Sequence, residues 1–232
     1  MIIGGIQKNT LIDYPGKIAA TIFVSGCNFK CPFCYNPELV LPGSIVQASP
    51  ISLKDIYSFL EERKGFLEAV VICGGEPTIY EDIIDFAKQI KDMGYLVKLD
   101  TNGSNPEILK KMISQKLLDY IAMDIKAPKE RYQELAGTLV DIEKIEQSIS
   151  ILKKKETDYE FRTTIVPGLL TKEDILKIVK WISPAKRYFL QNFQPKDKMV
   201  NSEFSTTKPY PKKYLTDIQK EIASFFDICE VR

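Results

Sequence analysis

Residues 69–101 read AVVICGGEPTIYEDIIDFAKQIKDMGYLVKLDT, and this stretch decides the fold class. An uninterrupted, β-branched run at 69–73 ends at Gly74-Gly75, as a strand buried on both faces ends at a turn. Residues 82–93 predict a helix, stopped by Gly94. Residues 95–101 then give a second strand. Strand, helix and strand in this order make one parallel β/α/β unit.

The alternation extends in both directions. Upstream, residues 19–25 (AATIFVS) predict a strand, and residues 52–63 a helix with Ser52 as N-cap, Asp55 in its first turn, and Ile56, Phe59 and Leu60 on one face. Downstream come a helix over 106–115 with Pro106 in its first turn, a strand at 120–125 and a helix at 141–154. A strand at 159–166, a helix at 171–182 capped by Thr171, a strand at 187–193 and an amphipathic helix at 214–225 complete the pattern. Six strands joined by right-handed helical crossovers predict an α/β fold, either a partial, open (β/α)6 barrel or a doubly wound sheet. Six units are too few for a full eight-unit barrel.

Gly4, Gly5, Pro15 and Gly16 precede the first strand and predict a small N-terminal hairpin. No linker or repeat divides the sequence, so residues 1–232 are expected to form a single domain. Residues 195–213 are polar, lysine-bearing and proline-containing, and predict an exposed loop: a solvated connection, or a lid or docking surface.

Composition narrows the chemistry. A net charge of +1 gives no electrostatic case for nucleic acid or an anionic membrane surface. No run approaches the roughly 18 apolar residues of a membrane span, and the first residues lack the pattern of a signal peptide. Histidine is absent, which excludes zincin-type sites, serine-hydrolase triads and Cys–His nucleophile pairs. Five cysteines, an odd and clustered set, do not form a secreted disulfide framework, and a reducing cytoplasm is the expected setting.

Three of those cysteines, Cys27, Cys31 and Cys34, fall within CNFKCPFC directly after the first strand. Cuboidal iron–sulfur clusters ordinarily take four cysteines, so three thiolates leave one metal position open for a substrate or cofactor. Structural zinc would need a fourth ligand, which without histidine only Cys73, Cys229 or a carboxylate could supply. Cys73, on an apolar strand, is expected in the core.

Ligands of parallel β/α folds sit at the carboxyl ends of the strands. There the sequence places the cysteine loop, Gly74-Gly75-Glu76-Pro77, Asp100-Thr101-Asn102, Asp124 with Lys126, Arg162 with Thr164, and Gln191. Asp124 and Lys126 are two residues apart and share a face, as do Asp100 and Asn102. The polar set is expected to converge on one mouth.

The cysteine triad with an aromatic residue before its third member, the GGEP turn, the LDTNG strand end and the D-I-K segment together resemble the radical S-adenosylmethionine superfamily. The opening GGIQKNTLIDYPGKIAATIFVSGCNFKCPFCYNPELV resembles, within it, the activating enzymes of glycyl radical enzymes, closest to activators of anaerobic ribonucleoside-triphosphate reductase. The resemblance implies a partial (β/α)6 radical-SAM barrel and a [4Fe-4S] cluster on Cys27, Cys31 and Cys34. It implies S-adenosylmethionine on the fourth iron, and a 5′-deoxyadenosyl radical that takes hydrogen from a partner's backbone glycine.

It implies further that Phe33 packs beside the adenine, and that Gly74, Gly75, Glu76 and Pro77 receive the methionine amino group. Asp100, Thr101 and Asn102 would lie near the ribose or methionyl part, and Lys126 would meet the carboxylate. Asp124 would orient Lys126 or help to hold a cation, with Arg162 and Gln191 further into the pocket. Many such activators carry histidine after the third cysteine; here it is Tyr35, counted with the cofactor pocket. The implied partners are the large glycyl-radical subunit of anaerobic ribonucleotide reductase and a small electron donor such as flavodoxin or ferredoxin.

Overall fold

A computed structural model describes residues 1–45, 50–154 and 156–232. The apolar runs form strands β1 (Ile3–Thr10), β2 (Ala19–Val24), β3 (Ala69–Gly74), β4 (Leu96–Thr101), β5 (Tyr120–Asp124), β6 (Asp158–Ile165), β7 (Ala185–Asn192) and β8 (Phe226–Val231). The helices are α1 (Pro37–Val40), α2 (Pro42–Ile45), α3 (Leu53–Glu62), α4 (Ile83–Asp92), α5 (Pro106–Ser114), α6 (Tyr132–Ala136), α7 (Ile142–Lys153), α8 (Lys172–Ile182) and α9 (Lys212–Ile222).

All eight strands form one sheet in sequential order, β1 to β8. From β2 onward each neighbouring pair is parallel, while β1 runs antiparallel to β2. A doubly wound sheet reverses strand order at a switch point. This order never reverses, so successive right-handed crossovers carry the helices over one face and leave the other face facing inward.

Side-chain alternation divides the two faces. Ile22, Ile72, Leu99, Ile121 and Phe161 point outward and are fully buried against Ile56, Leu60, Ile90, Met112 and Ile178 of the helices. Each such burial stabilises by about 1.5–3 kcal/mol relative to exposure. The helix ends follow the expected chemistry: the Ser52 hydroxyl accepts from Asp55 N–H at 3.1 Å, and Thr171 and Asp174 form a capping box. Inside, Tyr14, Ala19, Ala69, Val71 and Tyr120 form a second apolar cluster.

Three expectations change. The sheet holds a seventh parallel strand, β8, which the six-unit reading omits. The N-terminal hairpin exists, but its second arm is β2 itself, so β1 is an edge strand of the main sheet. Residues 195–213 keep their lysines exposed but are tied down: Met199 is buried, residues 202–206 form a 3-10 turn, and two backbone amides bond to the cysteine loop. Among the described residues no helix is long and apolar enough to cross a membrane.

Candidate active site

The cysteine loop joins β2 to α1 without helix or strand of its own, so other segments fix it. Gly26 N–H donates to Leu39 C=O at 2.6 Å, and Lys30 N–H to Ala136 C=O at 2.8 Å. Gly137, which follows Ala136, has φ +66°, and a Cβ there would lie 2.1 Å from the Lys30 carbonyl oxygen. Only glycine meets both demands. Within the loop, Cys34 N–H donates to Cys31 C=O at 3.0 Å, and Phe29 N–H reaches Cys27 Sγ at 3.3 Å.

Cys31 is buried; Cys27 and Cys34 are partly exposed. Burial pushes the Cys27 thiol up to about 12 and the Cys31 thiol up to about 11, and raises Cys34 as well. A nucleophilic cysteine needs the opposite shift, so these thiols are not poised for covalent attack. A soft metal displaces such protons directly. Among the described residues no three His, Cys, Asp or Glu side chains are arranged to hold a single metal ion. An all-sulfur donor set of three suits an iron–sulfur cluster.

The glycine turn after β3 packs backbone to backbone on this loop. Gly75 N–H donates to Val24 C=O at 2.7 Å and Glu76 N–H to Gly26 C=O at 2.8 Å. A Cβ on Gly75 would lie 1.9 Å from the Gly26 carbonyl oxygen. Gly75→Ala is therefore expected to cost about 1–3 kcal/mol as an overpacking substitution. Because Gly26 precedes Cys27, it should also impair cluster assembly; thermal unfolding and iron content after reconstitution report the two effects.

Glu76 lines the cavity and is also tied to its neighbours. It is 1% exposed, and its carboxylate accepts from Thr78 N–H (3.0 Å), the Thr78 hydroxyl, the Thr101 hydroxyl (2.7 Å) and Asn102 N–H (2.6 Å). It ties the turn to the end of β4. Pro77 begins the 3-10 turn Pro77–Ile79 and does not line the cavity. Asn102 contributes differently again: its Nδ2 donates to Asn28 Oδ1 at 2.9 Å, joining the strand end to the cysteine loop.

A row of charges crosses the inner face of β4, β5 and β6. Lys98 pairs with Asp100, and Arg162 donates through Nη1 to Asp100 at 3.0 Å and through Nε to Asp124 at 2.9 Å. Lys126 Nζ reaches the other Asp124 oxygen at 2.9 Å. Burial pushes the Asp124 carboxyl up, but Arg162 and Lys126 outweigh it and hold the group well below the usual carboxylate range. Burial would discharge Lys126, yet Asp124 keeps it cationic. Three cations thus meet two carboxylates along the row, and Glu76 and Asp13 add two further carboxyl groups to the same cavity.

Cysteines, glycine turn and charge row enclose one cavity of about 470 Å³. That lies in the size range of small-molecule and cofactor pockets. Every site residue expected from the sequence lines it except Pro77: Phe33 sits in its wall, Tyr35, half exposed, at its rim, and Gln191 on β7. Arg162 is there too, though engaged with both carboxylates. The sequence reading missed Asp13, Thr21, Phe23, Phe29 and Cys73, which also line the cavity. Cys73 thus faces the lumen and not the outer core. Period-two counting along β2 and β3 would have found Thr21, Phe23 and Cys73; Asp13, which accepts from the Thr21 hydroxyl at 2.6 Å, carries no such signal.

Residues 21–182 match the family described as the Radical SAM superfamily. The chain belongs to that superfamily. Radical SAM enzymes use a [4Fe-4S] cluster with S-adenosylmethionine, and the donor set and cavity fit both. A Methanocaldococcus jannaschii protein provisionally named a glycyl-radical enzyme activating enzyme is 35% identical over 237 residues, covering 100% of this chain and 95% of the relative. The pyruvate formate-lyase-activating enzyme of Listeria monocytogenes is 28% identical over 134 residues, 53% of this chain and 52% of that protein. Among solved structures, SuiB of Streptococcus suis bound to S-adenosylmethionine superposes with a TM-score of 0.67 at 15% identity, over 89% of this chain and 48% of SuiB. The chain spans about half the length of SuiB, and that likeness is one of fold.

Proposed function

We propose that this radical SAM enzyme is an activase that installs a glycyl radical on the large subunit of anaerobic ribonucleoside-triphosphate reductase. The observation that carries the reading is the cavity itself, lined by all three thiols and by Lys126, which Asp124 holds in place. When bound, the cluster and S-adenosylmethionine supply one electron and a 5′-deoxyadenosyl radical, which takes one hydrogen atom from a glycine α-carbon.

The chain holds and orients these groups. Cys27, Cys31 and Cys34 would hold the cluster through three thiolates, leaving one iron for S-adenosylmethionine. Gly74 and Gly75 let the turn pack directly on the backbone of Val24 and Gly26, which brings the turn that would receive the methionine amino group against the cysteine loop. Lys126, held by Asp124, meets the carboxylate as a point charge. Asp100, Thr101 and Asn102 border the ribose and methionyl part, and Phe33 the adenine. Glu76 acts by fixing the turn. Gln191 and Tyr35 border the side from which a partner's glycine loop enters.

Residues 1–232 act as one domain in this reading, in the cytoplasm. The electron comes from a small acidic carrier, such as flavodoxin or ferredoxin, for which the exposed lysines of residues 195–213 offer a complementary surface. The likeness to pyruvate formate-lyase activation favours a second reading, the same chemistry on another glycyl radical enzyme. The test mixes reduced, reconstituted enzyme, S-adenosylmethionine and the reductase large subunit anaerobically, and records the paramagnetic spectrum. A glycine-centred signal is expected. Cofactor cleavage without that signal, and with the signal on pyruvate formate-lyase, transfers the assignment to the second reading.

A further inference from the structure

The segment between β7 and α9 lies outside the part of the chain that matches the superfamily, residues 21–182, yet it touches the cysteine loop directly. We propose that residues 199–201 are a clamp that positions Cys34, a proposal that rests on the iron–sulfur reading of the triad. Val200 N–H donates to Cys34 C=O and Asn201 N–H to Pro32 C=O, each at 2.9 Å. Two successive amides of one segment thus grip two carbonyls spaced two apart in the loop.

The clamp is rooted on both sides. Met199 is buried, the Phe193 and Phe204 rings meet edge to face at 6.4 Å, and Asn201 Oδ1 accepts from Glu203 N–H at 3.0 Å. Further along, Asn192 Nδ2 donates to Tyr210 C=O at 2.9 Å. Among the described residues, the carbonyls of Pro32 and Cys34 have no other backbone partner. Gly26 and Lys30, by contrast, are tied to Leu39 and Ala136. The Cys27 half of the loop is therefore anchored by residues within the superfamily match, and the Cys34 half by the clamp.

Val200→Pro removes one donor and Val200→Ala keeps it. In anaerobically reconstituted protein, V200P is expected to release iron to a ferrous chelator about fivefold faster than wild type, the weight of one backbone hydrogen bond. V200A is expected to match wild type. In metal-free protein, V200P should alkylate faster at Cys34, with Cys27 unchanged, as mapped by mass spectrometry. Phe204→Ala loosens the same segment without touching a donor and should move both readouts in the same direction, which keeps the test available if V200P does not fold. Wild-type iron release and Cys34 alkylation in V200P, or in F204A if V200P does not fold, would overturn the clamp. Should wild type itself take up no iron, the iron–sulfur reading fails, and the alkylation pattern still decides the clamp.

Discussion

Cys31→Ala is expected to lower the iron of reconstituted protein from about four per chain to below about one, and to abolish reductive cleavage of S-adenosylmethionine, a loss of more than about a thousandfold. Cys31 is the buried member of the triad. Alanine keeps most of its packing, and the loop's anchors at Gly26, Lys30 and Cys34 are backbone bonds that the substitution leaves in place. The variant should therefore unfold within about 1 kcal/mol of the wild-type apoprotein. Cys73→Ala is the matched control, since Cys73 lines the same cavity but lies outside the triad. Its iron content should be unchanged. Full iron and turnover in C31A would mean that the three thiols do not jointly hold the cluster.

The second large effect concerns Arg162. Arg162→Met leaves Asp100 with Lys98 alone and Asp124 with Lys126 alone, and the loss of two charge-assisted hydrogen bonds should cost about 1–3 kcal/mol at pH 7. Arg162→Lys keeps the charge but not the two-armed geometry and should fall between. The pH dependence separates electrostatics from packing. In wild type the Asp124 carboxyl is depressed in the folded state, so its contribution is full above the unfolded value, about 3.9, and is lost only as pH falls through the lower folded value. In R162M Asp124 keeps only Lys126 and is depressed less, so the variant loses less of this contribution than wild type as pH falls below about 4. Denaturant unfolding of the apoproteins at pH 7 and pH 3 should show the gap narrowing. An identical gap would mean that Arg162 acts by packing alone.

Much of this was legible because parallel strands write themselves plainly. Buried on both faces or facing a lined lumen, β2 to β7 appear as short apolar runs ended by glycine or polar residues, and each was placed within two residues. β8 was not. It is an edge strand in which Asp227 and Glu230 are exposed, so it offers neither a continuous apolar run nor a clean alternation. β1 has two glycines and an exposed centre, and only its pairing with β2 makes it a strand.

The site divides the same way. Motif residues announce themselves by type and place, but what each does depends on partners the sequence does not order. Glu76 lines the cavity, but the sequence does not show that Thr78, Thr101 and Asn102 also engage its carboxylate. Lys98 was recoverable, two residues before Asp100 on the same face. The grip of Val200 and Asn201 on the cysteine loop was not, because it is made by backbone atoms that every residue carries.

Three thiolates are expected to hold a cluster whose fourth iron is open to S-adenosylmethionine. The paramagnetic spectrum of dithionite-reduced, reconstituted protein, recorded before and after S-adenosylmethionine is added, decides this. A [4Fe-4S]+ signal that changes shape on addition is expected, as a ligand joins the open iron. A signal that does not respond, or a colourless protein that takes up zinc in place of iron, would contradict it.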